Sequence, residues 1–412
     1  MKAKTDLQEL AVLGGLPAFS EPLHVGRPNI GNKERLLQRI GDIIDRRWLT
    51  NAGPCVLELE ENIARFIGVK HCIAMCNGTV ALEIAIRAAE FTGEVIVPSY
   101  TFIATAHALQ WQRVTPVFCD LDPATHNIDP AMIEQMITPR TTGVIGVHVW
   151  GRPCDIGAID DICRRRNLSV IYDAAHAFGC SYKGTMIGGF GLAEVFSFHA
   201  TKFFNTFEGG AVVTNNDSLA EKMRLMRNFG FAGPDDVIHV GTNGKMSEVS
   251  AAMGLTGLES LEEFVAVNRR NYDAYLSQLR NVPGLSLIRF DDREKCNYQY
   301  IVVEVDAERA GLSRDEIVQV LQAENILARK YFWPGCHSME PYRSLFPHSH
   351  LMLPKCKAVA ELVFLAPTGT AVNLDAINAV TCVLRLAITH ARDIRRALVN
   401  ARVPEGRATE KC

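Results

Sequence analysis

The sequence lacks the marks of several classes of protein. No apolar run reaches the roughly 18 residues of a membrane-spanning helix, and a net charge of −3 provides no basic surface for nucleic acid. The twelve cysteines include no Cys-x-x-Cys pair and no zinc-ligand spacing, and Cys72 and Cys76 are the closest two. We therefore expect a cytoplasmic protein with reduced thiols, no metal site, and no nucleic-acid or membrane partner.

Segments that would point to other functions are also missing. The chain has no internal repeat, no low-complexity linker and no glycine-rich loop after an early strand, which a nicotinamide-dependent oxidoreductase would need. Gly188–Gly191 does not join a strand to a helix with the spacing of such a loop. The apolar run Leu10–Leu13 is too short for a signal-peptide core, and the tail after Val403 is expected to fray.

Short apolar runs, rich in β-branched residues, alternate with helical patterns along the first part of the chain. Helices are expected after the first five runs, for example at Thr79–Ala89 and Ile156–Arg166. This alternation predicts an α/β fold with a mainly parallel sheet covered on both faces. The predicted strands are His71–Cys76, Glu94–Pro98, Pro116–Leu121, Gly143–Val149, Leu168–Asp173, Glu194–Phe198 and Gly210–Thr214.

The pattern changes near residue 250. Ser247–Arg280 is a long, mostly helical stretch with apolar residues at helical spacing. We therefore predict a large domain of residues 1–250, which includes the N-terminal segment, and a smaller α+β domain of residues 251–412. The elements predicted in the second domain are strands Leu285–Arg289 and Tyr298–Val305, and helices Arg314–Ala323 and Leu374–Ala387.

Two charged residues follow predicted strands and suit the same chemistry. Lys202 ends the run Val195–Lys202, and Asp173 ends the run Val170–Asp173. The strand ends of open α/β sheets collect ligands. A lysine there can form a Schiff base with pyridoxal phosphate (PLP), and an acid can pair with the ring nitrogen and keep the ring protonated. Taken singly, the two would be a surface lysine and a helix-capping aspartate, but the pair indicates a catalytic site.

Three further motifs fit a phosphate and a flat ring. Gly78 and Thr79 lie between a predicted strand and a helix, where free N–H groups bind phosphate, and Thr79 is expected to cap the helix. Ser197 can supply another hydroxyl, and Phe102, near a strand end, can stack on a heteroaromatic ring. The alternatives are an ordinary turn and cap, an inward-facing strand serine and a core phenylalanine.

The order of these motifs resembles one family of enzymes, the sugar aminotransferases of PLP fold type I, known as the DegT/DnrJ/EryC1/StrS family. The resemblance implies a large domain with a mainly parallel mixed sheet and a smaller C-terminal α+β domain. It also implies PLP as the cofactor, with pyridoxamine phosphate as its intermediate form. The matching segments, within residues 25–340, are Asn77–Thr79, Pro98–Phe102, Asp173–Ala177, Ser197–Lys202 and Glu208–Asn215.

The same resemblance implies roles for the matching residues. Lys202 would hold PLP as a Schiff base, and Asp173 would pair with the pyridine nitrogen. The active unit would be a homodimer with shared active sites. The remaining cofactor-binding residues would be Phe102 on the ring, His176 near the phenolic oxygen, Gly78, Thr79 and Ser197 on the phosphate, and Asn243 on the phosphate held by the partner subunit.

Some positions depart from the family or stay open. Gly244–Lys245 stands where many relatives have Tyr-Arg, so substrate contacts are not carried over there. Tyr331–Pro334 fits the lining of a sugar pocket and the protein core equally well. His148 and His199, beside predicted strands, are expected to be hydrogen-bonded structural residues.

The implied reaction is transamination, because Lys202 is present where related dehydratases carry histidine. The segments Val25–Gly31 and Arg47–Pro54 resemble the branch that aminates C4 of dTDP-4-keto-6-deoxy-D-glucose, in deoxyaminosugar and antibiotic biosynthesis. Within this resemblance, Arg27–Pro28 and Trp48–Gly53 would help form the substrate mouth. The family's usual amino donor is L-glutamate. A 3-keto sugar aminotransferase of the same family is one alternative. A catalytically inactive binding protein on this fold is an alternative from another class.

Overall fold

The computed structural model describes residues 3–400, which contain sixteen strands and fifteen α-helices. The expected fraying after Val403 lies outside these residues. The seven strands predicted in the first part of the chain all form, with ends within two residues of the prediction. The strands are β1 (Leu23–His24), β2 (His71–Met75), β3 (Glu94–Pro98), β4 (Thr115–Cys119), β5 (Thr141–Val147), β6 (Ser169–Asp173), β7 (Ser181–Tyr182), β8 (Thr185–Met186), β9 (Ala193–Ser197), β10 (Gly210–Thr214), β11 (Phe231–Gly233), β12 (Asp236–Val237), β13 (Leu285–Leu287), β14 (Ile301–Val305), β15 (Ile326–Leu327) and β16 (Val363–Ala366).

The helices cover the sheets and connect their strands. Four of the five helices expected after the first five strands are present. The helices are α1 (Lys33–Arg46), α2 (Pro54–Ile67), α3 (Gly78–Ala88), α4 (Ile103–Trp111), α5 (Pro130–Met136), α6 (Ile156–Arg166), α7 (Asp217–Arg227), α8 (Glu248–Glu259), α9 (Leu261–Leu279), α10 (Ala307–Ala310), α11 (Arg314–Ala323), α12 (Tyr342–Leu345), α13 (Pro354–Leu362), α14 (Leu374–Thr389) and α15 (Ala391–Asn400).

The central sheet has seven strands in the order β2-β10-β9-β6-β5-β3-β4. Strands β9, β6, β5, β3 and β4 run parallel to one another, and β10 is antiparallel to both β2 and β9. The predicted α/β fold with a mainly parallel mixed sheet is therefore confirmed. Two buried apolar clusters flank the sheet, as expected for strands covered on both faces.

The helix expected after Leu168–Asp173 is absent from the structure, so this prediction was wrong. After Asp173 the chain makes turns and then forms the hairpin β7–β8. Lys183 and Gly184, which connect the two strands, both have positive φ, the geometry of a tight two-residue hairpin turn. Glycines at positions 179, 184, 188, 189 and 191 interrupt this stretch, and glycine disfavours a helix.

The second part of the chain contains a three-stranded antiparallel sheet in the order β13-β14-β16. Strand β16 was not predicted, because Val363–Ala366 is too short to show an alternating pattern. The N-terminal segment packs on this second part: Leu10 and Phe19 lie in its apolar core, and β1 pairs with β15. The domain boundary at residue 250 falls within α8 and remains our proposal.

The sequence predicts no membrane-spanning helix and only reduced thiols, and the structure of residues 3–400 allows both features to be described. No single helix in residues 3–400 is long and apolar enough to cross a membrane. The pair α14 and α15 meets the length and composition requirements together, but an 89° bend separates the two helices. All eleven cysteines in the described part of the chain are free thiols, and most are buried.

The carboxyl ends of several strands meet at one edge of the central sheet. Met75, Asp173 and Ser197 are the last residues of β2, β6 and β9, which all point the same way. The loops that follow these strands carry most of the predicted site residues. The topology therefore collects segments that are far apart in sequence at a single place.

A buried carboxylate joins two helices on one side of this sheet. Glu248, in the first turn of α8, is fully buried, and its two oxygens accept hydrogen bonds from the backbone N–H groups of Cys55 and Val56, both at 2.9 Å. These N–H groups belong to the first turn of α2, where a helix has no internal partners for them. Glu248 therefore caps α2 from a distance of almost 200 residues in sequence.

We expect Glu248→Ala to lower the midpoint of thermal unfolding by several degrees. The substitution leaves two buried N–H groups without partners, at a cost of about 1–3 kcal/mol each. Glu262→Ala is the matched control, because Glu262 is also in the first turn of a helix but is exposed. Calorimetry on both variants checks the prediction, and equal midpoints for the two would contradict it.

Candidate active site

The start of α3 forms an anion-binding surface. Helix α3 begins at Gly78, and its cap is Asn77, whose Oδ1 accepts the N–H of Val80 at 2.8 Å. The prediction that Thr79 caps the helix was therefore wrong: Asn77 extends from the end of β2 and reaches the helix first. Thr79 lies in the first turn, where N–H groups are available to an anion.

Close backbone packing brings this helix start against two neighbouring strands. A Cβ atom on Gly78 would lie 3.0 Å from the Cβ of Ser197, and one on Gly210 would lie 2.7 Å from the backbone nitrogen of Gly78. Gly210 therefore has no room for a side chain, and a side chain at position 78 would press against Ser197. Ser197 thus lies beside Gly78, and its contact with a phosphate stays a prediction.

Asp173 is a buried carboxylate at the end of β6. One oxygen accepts the hydroxyl of Thr105 at 2.8 Å, and the other accepts the backbone N–H of Ala175 at 3.1 Å. Burial raises the pKa of Asp173, whereas these two hydrogen bonds and the charge of Lys202 act in the opposite direction. The arrangement fixes both oxygens and suits a carboxylate that faces a cationic group.

Phe102 is the residue that precedes α4, and Thr105 lies in the first turn of the same helix. Because Thr105 is bonded to Asp173, the first turn of α4 is fixed next to this carboxylate. The ring of Phe102 is 57% exposed and lines an open pocket, so it is not the core residue of the alternative interpretation. An exposed aromatic ring beside a buried carboxylate suits a flat heteroaromatic ligand.

Lys202 is partly buried, and its amine donates a hydrogen bond to the hydroxyl of Tyr300 at 3.2 Å. Burial lowers the pKa of the amine to about 8, although the charges of Asp173 and Tyr331 act to raise it. The backbone N–H of Lys202 bonds to the carbonyl of His199 at 2.9 Å in a tight turn after β9. Lys202 thus has an amine that is partly neutral near pH 8.

His176 is buried, and its ring stacks on Trp150 with centroids 5.9 Å apart. Its Nδ1 accepts the backbone N–H of Trp150 at 3.2 Å, which places the proton of a neutral ring on Nε2. Burial, followed by the charge of Lys202, lowers the pKa of His176 well below its usual value. His176 is therefore a neutral hydrogen-bond donor through Nε2.

Asn243, like Phe102, is a predicted site residue that the structure leaves at the surface. Its side chain is exposed, while its backbone pairs with Asn228 and lies beside Cys76 at the end of β2. Gly244 accepts the N–H of Cys76 at 2.8 Å, so this segment is fixed to the edge of the site. An exposed asparagine on a fixed segment is suited to contacts outside its own subunit.

The structure also shows where His148 and the aromatic segment Tyr331–Pro334 lie relative to the core. His148 is buried between Tyr172, on which its ring stacks, and Cys154, whose N–H it accepts at 3.0 Å, so it is a structural residue as expected. Of Tyr331–Pro334, Phe332 is buried in the core, whereas Tyr331 and Trp333 line the same pocket as Phe102. Phe332 is therefore a core residue, whereas the sugar pocket at Tyr331 and Trp333 stays a prediction.

Residues that the sequence did not reveal complete the site. Tyr300 contacts Lys202 across 98 positions, and Thr105 contacts Asp173 across 68. Neither residue belongs to a motif that marks such contacts. The role of Asn77 had a visible signal, because an asparagine directly before a helix is a strong cap.

The N-terminal segment closes the site from the side of Lys202. Asn29 donates through Nδ2 to the carbonyl of Phe203 at 2.8 Å, and its Oδ1 accepts from Thr370. A Cβ on Gly26 would lie 3.2 Å from the carbonyl of Thr201, the residue before Lys202. Arg27 therefore follows a residue that lies close to the loop that carries Lys202. The role of Arg27 in a substrate mouth stays a prediction.

The site can hold a small molecule with an anionic group at one end and a basic ring nitrogen at the other. With such a molecule bound, the helix start and Ser197 would receive the anion, Asp173 would receive the cationic nitrogen, and Phe102 would cover a ring between them. Lys202 provides an amine with a lowered pKa for covalent attachment. These features fit the phosphate, ring and aldehyde of PLP.

Comparison with known proteins gives consistent matches. A dTDP-4-amino-4,6-dideoxy-D-glucose transaminase of Shigella dysenteriae is 38% identical over 368 residues, which is 89% of this chain and 99% of that protein. The crystal structure of DesI in the presence of its TDP-sugar product superposes with a TM-score of 0.91 and 46% identity, and covers 96% of this chain and 100% of DesI.

A third match is the crystal structure of S. venezuelae DesV in complex with a ketimine intermediate. It has a TM-score of 0.81 and 28% identity, over 86% of this chain and 95% of DesV. The model of the DegT/DnrJ/EryC1/StrS aminotransferase family matches residues 31–385, nearly the whole described chain. Because the family model, the relatives and the fold agree, this chain belongs to the DegT/DnrJ/EryC1/StrS aminotransferase family.

Proposed function

We propose that this chain is a PLP-dependent aminotransferase that converts dTDP-4-keto-6-deoxy-D-glucose to the 4-amino sugar, with L-glutamate as the amino donor. The observation that carries the proposal is the Lys202 amine, with a pKa lowered to about 8, in the same site as buried Asp173 and the anion-binding start of α3. The name of the Shigella dysenteriae relative supports the 4-amino product.

PLP, when bound, supplies an electron-withdrawing ring that makes the Cα–H of an attached amino donor acidic. The protein contributes the group that moves this proton, and Lys202 is suited to it. At pH 8 about half of its amine is neutral, so it can accept a proton and later return it. A lysine pKa of about 8 favours transfer in both directions near neutral pH.

Three residues contact the ring of the cofactor in our proposal, and three hold its phosphate. Asp173 pairs with the protonated ring nitrogen, because its two oxygens are already fixed by Thr105 and Ala175. Phe102 covers one face of the ring, and His176 donates from Nε2 toward the phenolic oxygen. The phosphate is held at the start of α3 by Gly78, Thr79 and Ser197.

The pocket next to Phe102 suits a nucleotide-linked sugar. Tyr331 and Trp333 offer flat apolar surfaces, and Arg329 and Lys330 lie over these rings at 5.3 and 4.7 Å. Aromatic faces suit a sugar or a base, and the cations suit a diphosphate. DesI, whose structure was determined with a TDP-sugar product, is consistent with this class of substrate.

We further propose a homodimer in which Asn243 reaches the phosphate of the partner subunit. The segment before Asn243 contains the hairpin β11–β12, which displays several exposed apolar side chains. A group of exposed apolar residues on one element marks an interface. These residues are Phe229, Phe231, Val237, Ile238 and Val240.

The position of amination decides between the proposal and its alternative. The purified protein is incubated with L-glutamate and a panel of nucleotide-linked 3-keto and 4-keto sugars, and the amino position of the product is determined by NMR. Amination at C4 supports the proposal, and amination at C3 supports the alternative from the same family. A colourless protein that cannot be reconstituted with PLP would indicate the inactive binding protein.

Lys202→Ala should reduce turnover by at least about 10³-fold, since both covalent attachment and proton transfer are lost. PLP should still bind, because the contacts to phosphate and ring remain. Borohydride reduction of the wild-type protein followed by peptide mapping should label Lys202. Lys183→Ala is the control, because Lys183 lies exposed in the β7–β8 turn; a label on Lys183 or Lys245 would refute the assignment.

Asp173→Asn should lower turnover by about two orders of magnitude while the protein stays folded. Asparagine keeps the shape but cannot balance the cationic ring. The pKa of Asp173 is raised in the folded protein, so its charge opposes folding above that pKa, and the substitution should not lower stability at pH 7.

Asp160→Asn is the matched control for Asp173→Asn. Asp160 is a partly buried carboxylate whose pKa burial also raises, but it bonds to Tyr172 on the other side of β6. Turnover and PLP affinity are measured on both variants together with thermal unfolding. Near-wild-type turnover of Asp173→Asn with PLP bound would exclude Asp173 as the partner of the ring.

A shared active site predicts that two inactive variants restore activity when their subunits exchange. A mixed dimer of Lys202→Ala and Asn243→Ala has one site with both substitutions and one with neither, so about a quarter of wild-type activity should return. The control mixture of Lys202→Ala and Asp173→Asn should stay inactive, because both substitutions affect residues of a subunit's own site. No recovery after verified exchange, or a fully active monomer by light scattering, contradicts the shared site.

A further inference from the structure

A segment from the second part of the chain enters the site between two of its loops. Asn297 donates through Nδ2 to the carbonyls of His176 at 2.8 Å and Phe178 at 3.0 Å. Gln299 accepts the N–H of Phe203 at 3.4 Å, directly after Lys202. This segment, just before β14, therefore connects the loop that carries His176 to the loop that carries Lys202.

Tyr300 follows in this segment and is held rigidly. Its ring is buried and packs edge-to-face against His176, with centroids 4.7 Å apart, and against Trp150, at 5.4 Å. Its hydroxyl accepts the hydrogen bond from the Lys202 amine at 3.2 Å. A phenylalanine would fill the same space, so packing alone does not require the hydroxyl. The polar partners of this hydroxyl are the amine of Lys202 and the side chain of Gln299.

We propose that Tyr300 is a positioning residue that holds the Lys202 amine whenever this amine is not covalently bound. The inference rests on the proposed function, in which Lys202 is released by the amino donor and then transfers a proton. A released lysine side chain has four rotatable bonds. Fixing its amine toward the Cα of the amino donor removes conformations from which the amine cannot transfer the proton. The rigid ring of Tyr300 provides a fixed point for that purpose.

The electrostatic surroundings agree with this role. Burial raises the pKa of the Tyr300 phenol, so it stays neutral and acts as a hydrogen-bond partner without exchanging its own proton. The other groups that face the amine are the charges of Asp173 and Tyr331, which raise its pKa, and neutral His176. An acceptor hydroxyl favours the charged amine, so removing it should lower the pKa of Lys202.

The first test uses the protein without cofactor and compares Tyr300→Phe with a matched control. In Tyr275→Phe another buried tyrosine loses its hydroxyl, which donates to the carbonyl of Pro367 at 3.0 Å and not to a residue that contacts the Lys202 amine. Competitive labelling of Lys202 with trace acetic anhydride across a pH series measures the pKa of its amine. We expect a fall of about one pH unit in Tyr300→Phe, the size of one hydrogen bond to a charged group, and none in Tyr275→Phe.

The second test uses the loaded enzyme. Tyr300→Phe should lower kcat about tenfold, which corresponds to one hydrogen bond of average strength. The KM for L-glutamate and the Kd for PLP should stay unchanged, and the isotope effect with Cα-deuterated glutamate should increase because proton transfer becomes slower. Tyr275→Phe should keep wild-type values. A purely structural role would change the two variants alike.

Two results would overturn the proposal: an unchanged Lys202 pKa in folded Tyr300→Phe, or a lowered pKa with unchanged kcat and isotope effect. If Tyr300→Phe does not fold, the wild-type protein labelled with ¹³Cζ-tyrosine replaces it. One of its nine tyrosine resonances should titrate near pH 8 and stop titrating in Lys202→Met; the absence of such a resonance overturns the proposal. Failure of the proposed function appears separately, as a wild-type protein that aminates none of the keto sugars.

Discussion

The site depends on a carboxylate that is held in a buried position. Asp173 lies at the end of a central strand, where burial opposes its charge, and it keeps that charge only with nearby partners. Thr105 on α4 and the amine of Lys202 are such partners. The need to surround one charge thus explains why a helix start, a strand end and a lysine loop converge at one edge of the sheet.

The sequence predicted the parts of the site that short segments determine. The strand runs, Lys202 and Asp173 each stand in a local pattern, and the structure places these residues together. Contacts between distant segments could not be predicted, because nothing near Tyr300 or Thr105 in the sequence signals its partner. The helix predicted after Asp173 is absent for a different reason, because glycines and a tight hairpin interrupt the alternation of strands and helices there.

The two parts of the chain are interdependent. The N-terminal residues pack into the core of the second part, while Asn297, Gln299 and Tyr300 of the second part fix the loops of the first. A domain boundary at residue 250 would place Asn297, Gln299 and Tyr300 in one domain and the loops that they contact in the other. These contacts therefore cross the boundary. Lys202 has its lowered pKa only where burial by both parts is complete, so the chemistry belongs to the assembled chain rather than to the sheet alone.

The distance between Lys202 and Tyr300 along the chain has a consequence for biosynthesis. The two residues are 98 positions apart, and a ribosome adds roughly 5–20 residues per second, so about 5–20 s separate their appearance. During this interval the lysine lacks the contacts that hold its amine. The nascent chain therefore completes its aldehyde-binding pocket only after the second half has been translated and has docked, which makes cofactor capture a late event.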